Sequence, residues 1–253
     1  MSAILLLSYT AHAKSPEEKG LEIAKESKQR DIGWGDSETT LKMILRNAAG
    51  QESIREVRTK TLEVVNDGDK SLNIFDHPRD VKGTAFLSFS NPVGADDQWL
   101  YLPALKRVKR IASRNKSGPF MGSEFAYEDL TSFEVEKYTY KFIREEACAG
   151  GNCFVVEQYP VDKYSGYTRR VVWIDTTEYR TWKTEFYDRR DSLLKTLTVT
   201  DFNQYLDKYW RATEMKMVNH QSKKETDLIW DEYLFNTGLS VADFNQNTLR
   251  RAK

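Results

Sequence analysis

The chain has 253 residues, 40% of them hydrophobic and 30% charged, and its 38 Lys+Arg balance its 38 Asp+Glu to leave no formal net charge. That composition excludes a bundle of membrane helices and a disordered chain. It also speaks against nucleic-acid binding, which draws most of its affinity from a basic excess.

Residues 1–13 read as a secretory signal peptide. Ile4-Leu5-Leu6-Leu7 is a short apolar run, and Ala11-His12-Ala13 is an A-x-A cleavage site before Lys14. The run is too short to span a bilayer. No Lys or Arg precedes it, a departure from an ordinary leader that places the expected translation start further upstream. No Cys follows the run directly, so a lipid anchor is not expected. Residues 14–253 are then a mature, periplasmic domain.

A helix is expected next, over SPEEKGLEIAKESKQRDIGW. Ser15 can cap it, Pro16 suits its first position, Glu17 and Glu18 favour the positive end of its dipole, and Gly33 and Gly35 stop it. Its apolar content is thin (Leu21, Ile23, Ala24), so it lies over something rather than inside it.

From Thr39 to Phe235 the pattern is β almost throughout, about a dozen short strands at the spacing of sandwiches and barrels. Strands are predicted over Thr40–Arg46, Ile54–Val65, Lys70–Phe75, Thr84–Phe89, Gln98–Leu102 and Lys106–Ala112. A polar Gly/Pro loop follows, and then Phe133–Arg144, Phe154–Tyr159, Thr168–Asp175, Arg180–Tyr187, Leu194–Asp201, Tyr209–Asn219 and Lys224–Phe235. The connections are hairpin-like, as in Asn66-Asp67-Gly68-Asp69 and Asp188-Arg189-Arg190-Asp191. Alternation puts Trp182 and Phe186 on one face against Lys183 and Glu185, and Met215 and Met217 opposite Glu214 and Lys216. The fold class is therefore mainly β: one strongly curved antiparallel sheet with few helices, which must close on itself or hold a ligand. A last helix, Ser240–Arg251, is expected to anchor through Phe244 and Leu249.

Cys148 and Cys153 flank a four-residue turn between two predicted strands, where a disulfide fits and would contribute about 2 kcal/mol. Half a metal site is the other reading, but no His or second Cys pair lies nearby in sequence.

Catalytic chemistry finds little support. His77 and His220 sit at turns, and the chain has no nucleophile elbow, phosphate loop or metal-ligand motif. Glu124, Glu128 and Asp129 could form an acid pair, yet they read better as the exposed face of a short helix. No enzyme activity, cofactor or metal is expected. One basic run, Lys106, Arg107, Lys109 and Arg110, is an exposed hairpin end or a contact for anionic headgroups or an acidic partner.

The aromatic load carries more weight. Trp99, Trp173, Trp182, Trp210 and Trp230 all fall on predicted strands beside Met43, Met215 and Met217. A large β core accounts for them; so does a concave apolar surface for acyl chains, with Met packing adaptably. On the second reading the cavity and its lid are expected to involve Leu100, Phe120, Met121, Phe125, Tyr127, Trp173, Trp182, Phe186, Met215, Met217 and Trp230. Gly118, Pro119 and Gly122 would be the hinges of the lid, Gly118–Leu130.

The segments FDHPRDVKGTAFLSF, DQWLYLPALKRVKRI and GPFMGSEFAYEDL resemble the outer membrane lipoprotein-sorting protein family, which is similar to the periplasmic carriers of the Lol system. The likeness runs through nearly all of the mature chain. It implies an incomplete β-barrel with helices over its concave side, holding lipid or the acyl chains of a lipoprotein. It also implies an inner-membrane transporter as donor and an outer-membrane acceptor, with no nucleic acid and no membrane span. The alternative is a non-carrier periplasmic binding or sensor module, or an accessory protein of an RND-type lipid transporter.

Overall fold

The computed structural model describes residues 14–149 and 151–251; the expected signal peptide lies outside them. Helix α1 (Pro16–Arg30) precedes six strands: β1 (Asp36–Arg46), β2 (Glu52–Leu62), β3 (Lys70–His77), β4 (Ala85–Phe89), β5 (Asp97–Leu102) and β6 (Arg107–Arg110). A long connection leads to β7 (Tyr138–Cys148), β8 (Gly151–Pro160), β9 (Tyr167–Asp175), β10 (Thr181–Asp188), β11 (Leu193–Tyr205), β12 (Tyr209–Asn219) and β13 (Glu225–Trp230). The short β14 (Leu234–Phe235) and helix α2 (Gln246–Arg251) complete the order.

All the strands belong to one antiparallel sheet. Each meander pairs in sequence order, and the two are joined by a ladder between β1 and β13, which leaves β6 and β7 as the two edges. The barrel is therefore open along one side. Its curvature is visible in one buried cluster that gathers Met43, Val57, Phe75, Phe86 and Leu100 from one meander and Tyr167, Phe186, Met217 and Leu228 from the other. Phe120 and Phe125, from the connection between β6 and β7, sit in the same cluster.

Helix α1 starts where expected but ends at Arg30, closed by Asp31 short of Gly33. Ser15 Oγ accepts from Glu18 N at 3.1 Å while the Glu18 carboxylate accepts from Ser15 N at 2.9 Å, a reciprocal cap. The helix lies across β7 and β8, with Ile23 and Ala24 buried against Val135, Tyr140, Val156, Val172 and Ile174. The approach is close at Gly20, where a Cβ would come within 2.9 Å of the Phe142 backbone nitrogen. Only glycine admits that contact.

The end of the chain differs from one continuous helix: a 3-10 turn at Val241–Asp243 precedes the six residues of α2. Asp243 caps Ser240 N at 2.8 Å and so closes the turn. Phe244 and Leu249 are buried as anticipated, against Leu72, Ile74, Ala85 and Leu87 on the outer face of β3 and β4. Cys148 and Cys153 are disulfide-bonded, with Cα atoms 5.8 Å apart. No helix among the described residues is long and apolar enough to cross a membrane.

Candidate functional site: a cavity beneath helix α1

The interior of the barrel has two halves, and the side chains decide which is filled. On β1 the inward positions read Ser37, Thr39, Leu41, Met43; on β2 they read Val57, Thr59, Thr61. The large side chains belong to the packed cluster. Where they give way to Ser and Thr, a cavity of about 830 Å³ opens under α1. Its walls continue with Val172 and Ile174 of β9, Thr184 of β10, Leu197 and Val199 of β11, Met215 of β12 and Trp230 of β13. Ala24 and Ser27 of α1 roof it. Arg30, Glu178, Asp207 and Lys208, all exposed, border the opening.

The other half is closed by the connection between β6 and β7. The segment expected as a movable lid is pinned there. Phe120 packs on Phe75, Phe86 and Tyr127 with ring centroids 5.8, 5.0 and 5.7 Å away. Lys195 Nζ donates to Glu124 O at 2.8 Å and to Asp129 Oδ2 at 2.6 Å, an ion pair whose side chains are 4% and 5% exposed. Tyr167 donates its hydroxyl to Asp129 at 2.9 Å, and Gln98 Nε2 donates to Tyr127 O at 2.9 Å. Arg55 reaches the Met121 carbonyl, and Asn219 Nδ2 donates to Glu124 Oε2 at 2.6 Å. Glu124, Glu128 and Asp129 are thus not the exposed helix face the sequence suggested. They are anchors, and Glu128 accepts from Ser165 Oγ and Gly166 N, both at 2.8 Å.

The residues singled out from the sequence divide accordingly. Met215 and Trp230 line the cavity. Leu100, Phe120, Phe125, Phe186 and Met217 are buried in the packed half, with Met121 and Tyr127 against them. Trp173 lies on the outer face with Val155 and Val171, its indole donating to Glu146 at 2.5 Å. Trp182 falls at a bulge in β10, which breaks the alternation that grouped it with Phe186. Its indole donates to Asp175 at 3.1 Å and its ring meets Phe202 at 4.9 Å. The basic run is exposed on the edge strand β6 and the turn before it, with Arg110 paired to Asp97.

Charged groups frame the mouth. Arg180 bonds Asp175 at 2.9 Å and lies over the Trp210 ring at 4.4 Å. Arg211 pairs with Asp31 at 2.6 Å and lies over Trp34 at 5.4 Å. The Asp31 side chain is half exposed, whereas Asp175 is fully buried. Burial pushes it up, but donors from Glu178 N, Arg180, Thr177 and Trp182 together hold it below the ordinary 3.8. A depressed carboxyl stabilises the fold above its unfolded value and loses that contribution as pH falls through the folded one. Glu128 has the opposite sign, because burial and the Asp129 charge raise it; it favours the fold as pH falls. Asp175→Asn should therefore cost about 2–3 kcal/mol at pH 7 and flatten the loss of stability below about pH 4. Thermal denaturation of both proteins between pH 7 and 2 checks this, and parallel curves would refute it.

Comparison with known proteins supports the same fold. No curated protein sequence matches the chain. A family profile described only as an uncharacterised protein matches residues 67–251. A LolA superfamily protein from Nitrosomonas europaea is 18% identical, with TM-score 0.71 over 93% of this chain and all of that one, and shares the fold. A DUF1329 family protein from Desulfovibrio piger is 29% identical, with TM-score 0.87 over the same shares. A Vibrio parahaemolyticus domain provisionally assigned to outer membrane lipoprotein sorting is 62% identical, with TM-score 0.91 over 93% of this chain and all of that one. None of these three names a catalytic family. With the open barrel, the cavity and an identity of 62% along nearly its whole length, the chain belongs to the outer membrane lipoprotein-sorting protein family.

Proposed function

We propose that the protein is a periplasmic carrier that binds lipid, or the acyl chains of a lipoprotein, in the cavity under α1 and delivers them towards the outer membrane. The observation that carries this reading is the 830 Å³ cavity itself, which lies in the size range of small-molecule sites. An acyl chain exposed to water costs ~0.8 kcal/mol per CH₂, so Val172, Ile174, Leu197, Val199, Met215 and Trp230 offer it a favourable wall. A carrier must also let go. Ser37, Thr39, Thr59, Thr61 and Thr184 on the other wall positions hold a chain less tightly than an all-apolar surface would, which suits transfer.

Lys106, Arg107, Lys109 and Arg110 on the exposed edge would contact anionic headgroups at the donor membrane, or an acidic surface of the inner-membrane transporter or the outer-membrane acceptor. The chemistry required is binding and release, with no covalent step. Protein purified from its host and extracted with organic solvent should yield lipid, and the stripped protein should bind a fluorescent acyl probe. Recovery of no lipid together with no probe binding would sink the proposal.

A further inference from the structure

Four arginines line the cavity, and three of them hold a carboxylate: Arg30 with Glu26 at 2.8 Å, Arg180 with Asp175 at 2.9 Å and Arg211 with Asp31 at 2.6 Å. Arg170 is the exception. It forms no ion pair among the described residues; its guanidinium donates to the Gln158 side-chain oxygen, and its Nε is buried without a hydrogen-bond partner. A guanidinium has five N–H donors, so most of its capacity is unspent. The side chain is half-buried, and a cation partly withdrawn from water with no ion-pair partner is costly. This one is nevertheless held in place, stacked over the Tyr138 ring at 4.1 Å. Its position is also telling. Arg170 pairs across the ladder with Phe186 of the packed half and precedes the wall residues Val172 and Ile174. It sits on the floor, where filled interior meets empty space.

We propose that Arg170 anchors an acidic group on the cavity's occupant, so that the ligand is an anionic amphiphile seated acid-first, its chain running along the wall towards the mouth. This rests on the carrier reading above and narrows it. Ester-linked acyl chains present no charge to Arg170. A fatty carboxylate or a lipid phosphate does, and either can take two parallel bonds from a planar guanidinium that is already oriented.

The test is calorimetric titration of the delipidated mature protein with dodecanoate, dodecyl phosphate and methyl dodecanoate. The expected result is that an acid binds at least about tenfold tighter than the ester, as charge-assisted bonds allow. Arg170→Gln should erase that preference while leaving the ester's affinity in place, and Arg170→Lys should keep part of it. Whichever acid binds tighter identifies the headgroup. Equal affinities for all three in the unmodified protein would overturn the inference and leave the carrier reading standing. An Arg170→Gln variant that loses ester and acids alike would overturn it too. Failure of all three to bind would overturn the carrier reading itself.

Discussion

Asp129→Ala should lower the stability of the protein by about 3–5 kcal/mol, the usual cost of stranding one half of a buried ion pair. Asp129 and Lys195 lie 2.6 Å apart with almost no exposure. Removing the carboxylate leaves the Lys195 ammonium buried with only the Glu124 carbonyl, and it strips acceptors from Ala126 N and the Tyr167 hydroxyl. In a chain of this size the loss corresponds to a fall in Tm on the order of 10 °C. The double replacement Asp129→Leu with Lys195→Met should recover part of it, since neither charge is then left alone while Ala126 N and the Tyr167 hydroxyl still lack their acceptor. Urea unfolding of the three proteins decides the matter. A single-variant loss under about 1 kcal/mol would mean that the pair is solvated and the connection between β6 and β7 is loosely held.

Thr184→Trp should abolish acyl binding while leaving the fold intact. Thr184 pairs with Val172 on one side and Leu197 on the other, and all three face the cavity. An indole there takes up space that is empty, so the overpacking penalty of a filled core does not arise. Affinity for a fluorescent acyl probe should drop by more than about tenfold, against a shift in Tm of only a few degrees. Phe120→Ala is the counterpart. It removes a ring from the packed half and should cost about 3–5 kcal/mol with the probe still bound. If Thr184→Trp binds the probe normally, or Phe120→Ala alone loses it, the ligand sits at the other end of the barrel.

Those two variants also mark what could be read in advance. Strand β12 spans Tyr209–Asn219 as its alternation indicated, and the start of α1, with its Ser15 cap, needed only local chemistry. The disulfide followed from a short turn between two strands. The position of the empty half was harder to see, because large aromatic side chains draw attention and they fill space rather than leave it. The informative positions were the small ones. Ser37 and Thr39 precede Leu41 and Met43 on one face, and Thr59 and Thr61 follow Val57. A same-face change from large apolar to small polar marks where a barrel goes from packed to hollow. Arg170 had no such signature, since an arginine on a strand usually faces water and Arg169 stands beside it. Trp182 misled because a bulge, invisible in composition, shifted its face. The carboxylates at Glu124, Glu128 and Asp129 misled because their partners, Asn219, Ser165 with Gly166, and Lys195 respectively, lie far along the chain.

The seam between the two meanders has a consequence for how the protein is made. Leu41 on β1 finds its partner Trp230 on β13 roughly 190 residues later, the kind of distant pairing that slows folding. At a synthesis rate of about 5–20 residues per second, β1 waits about 10–40 s for that partner to emerge. During that interval the first meander can form, but its β1 edge stays unsatisfied and open to any stray strand. Helix α1 waits as well, because the surface it covers belongs to β7 and β8. Assembly of the barrel is thus a late event, gated by residues near the end of the chain, and the nascent protein is safest when it is kept extended until the whole of it is available.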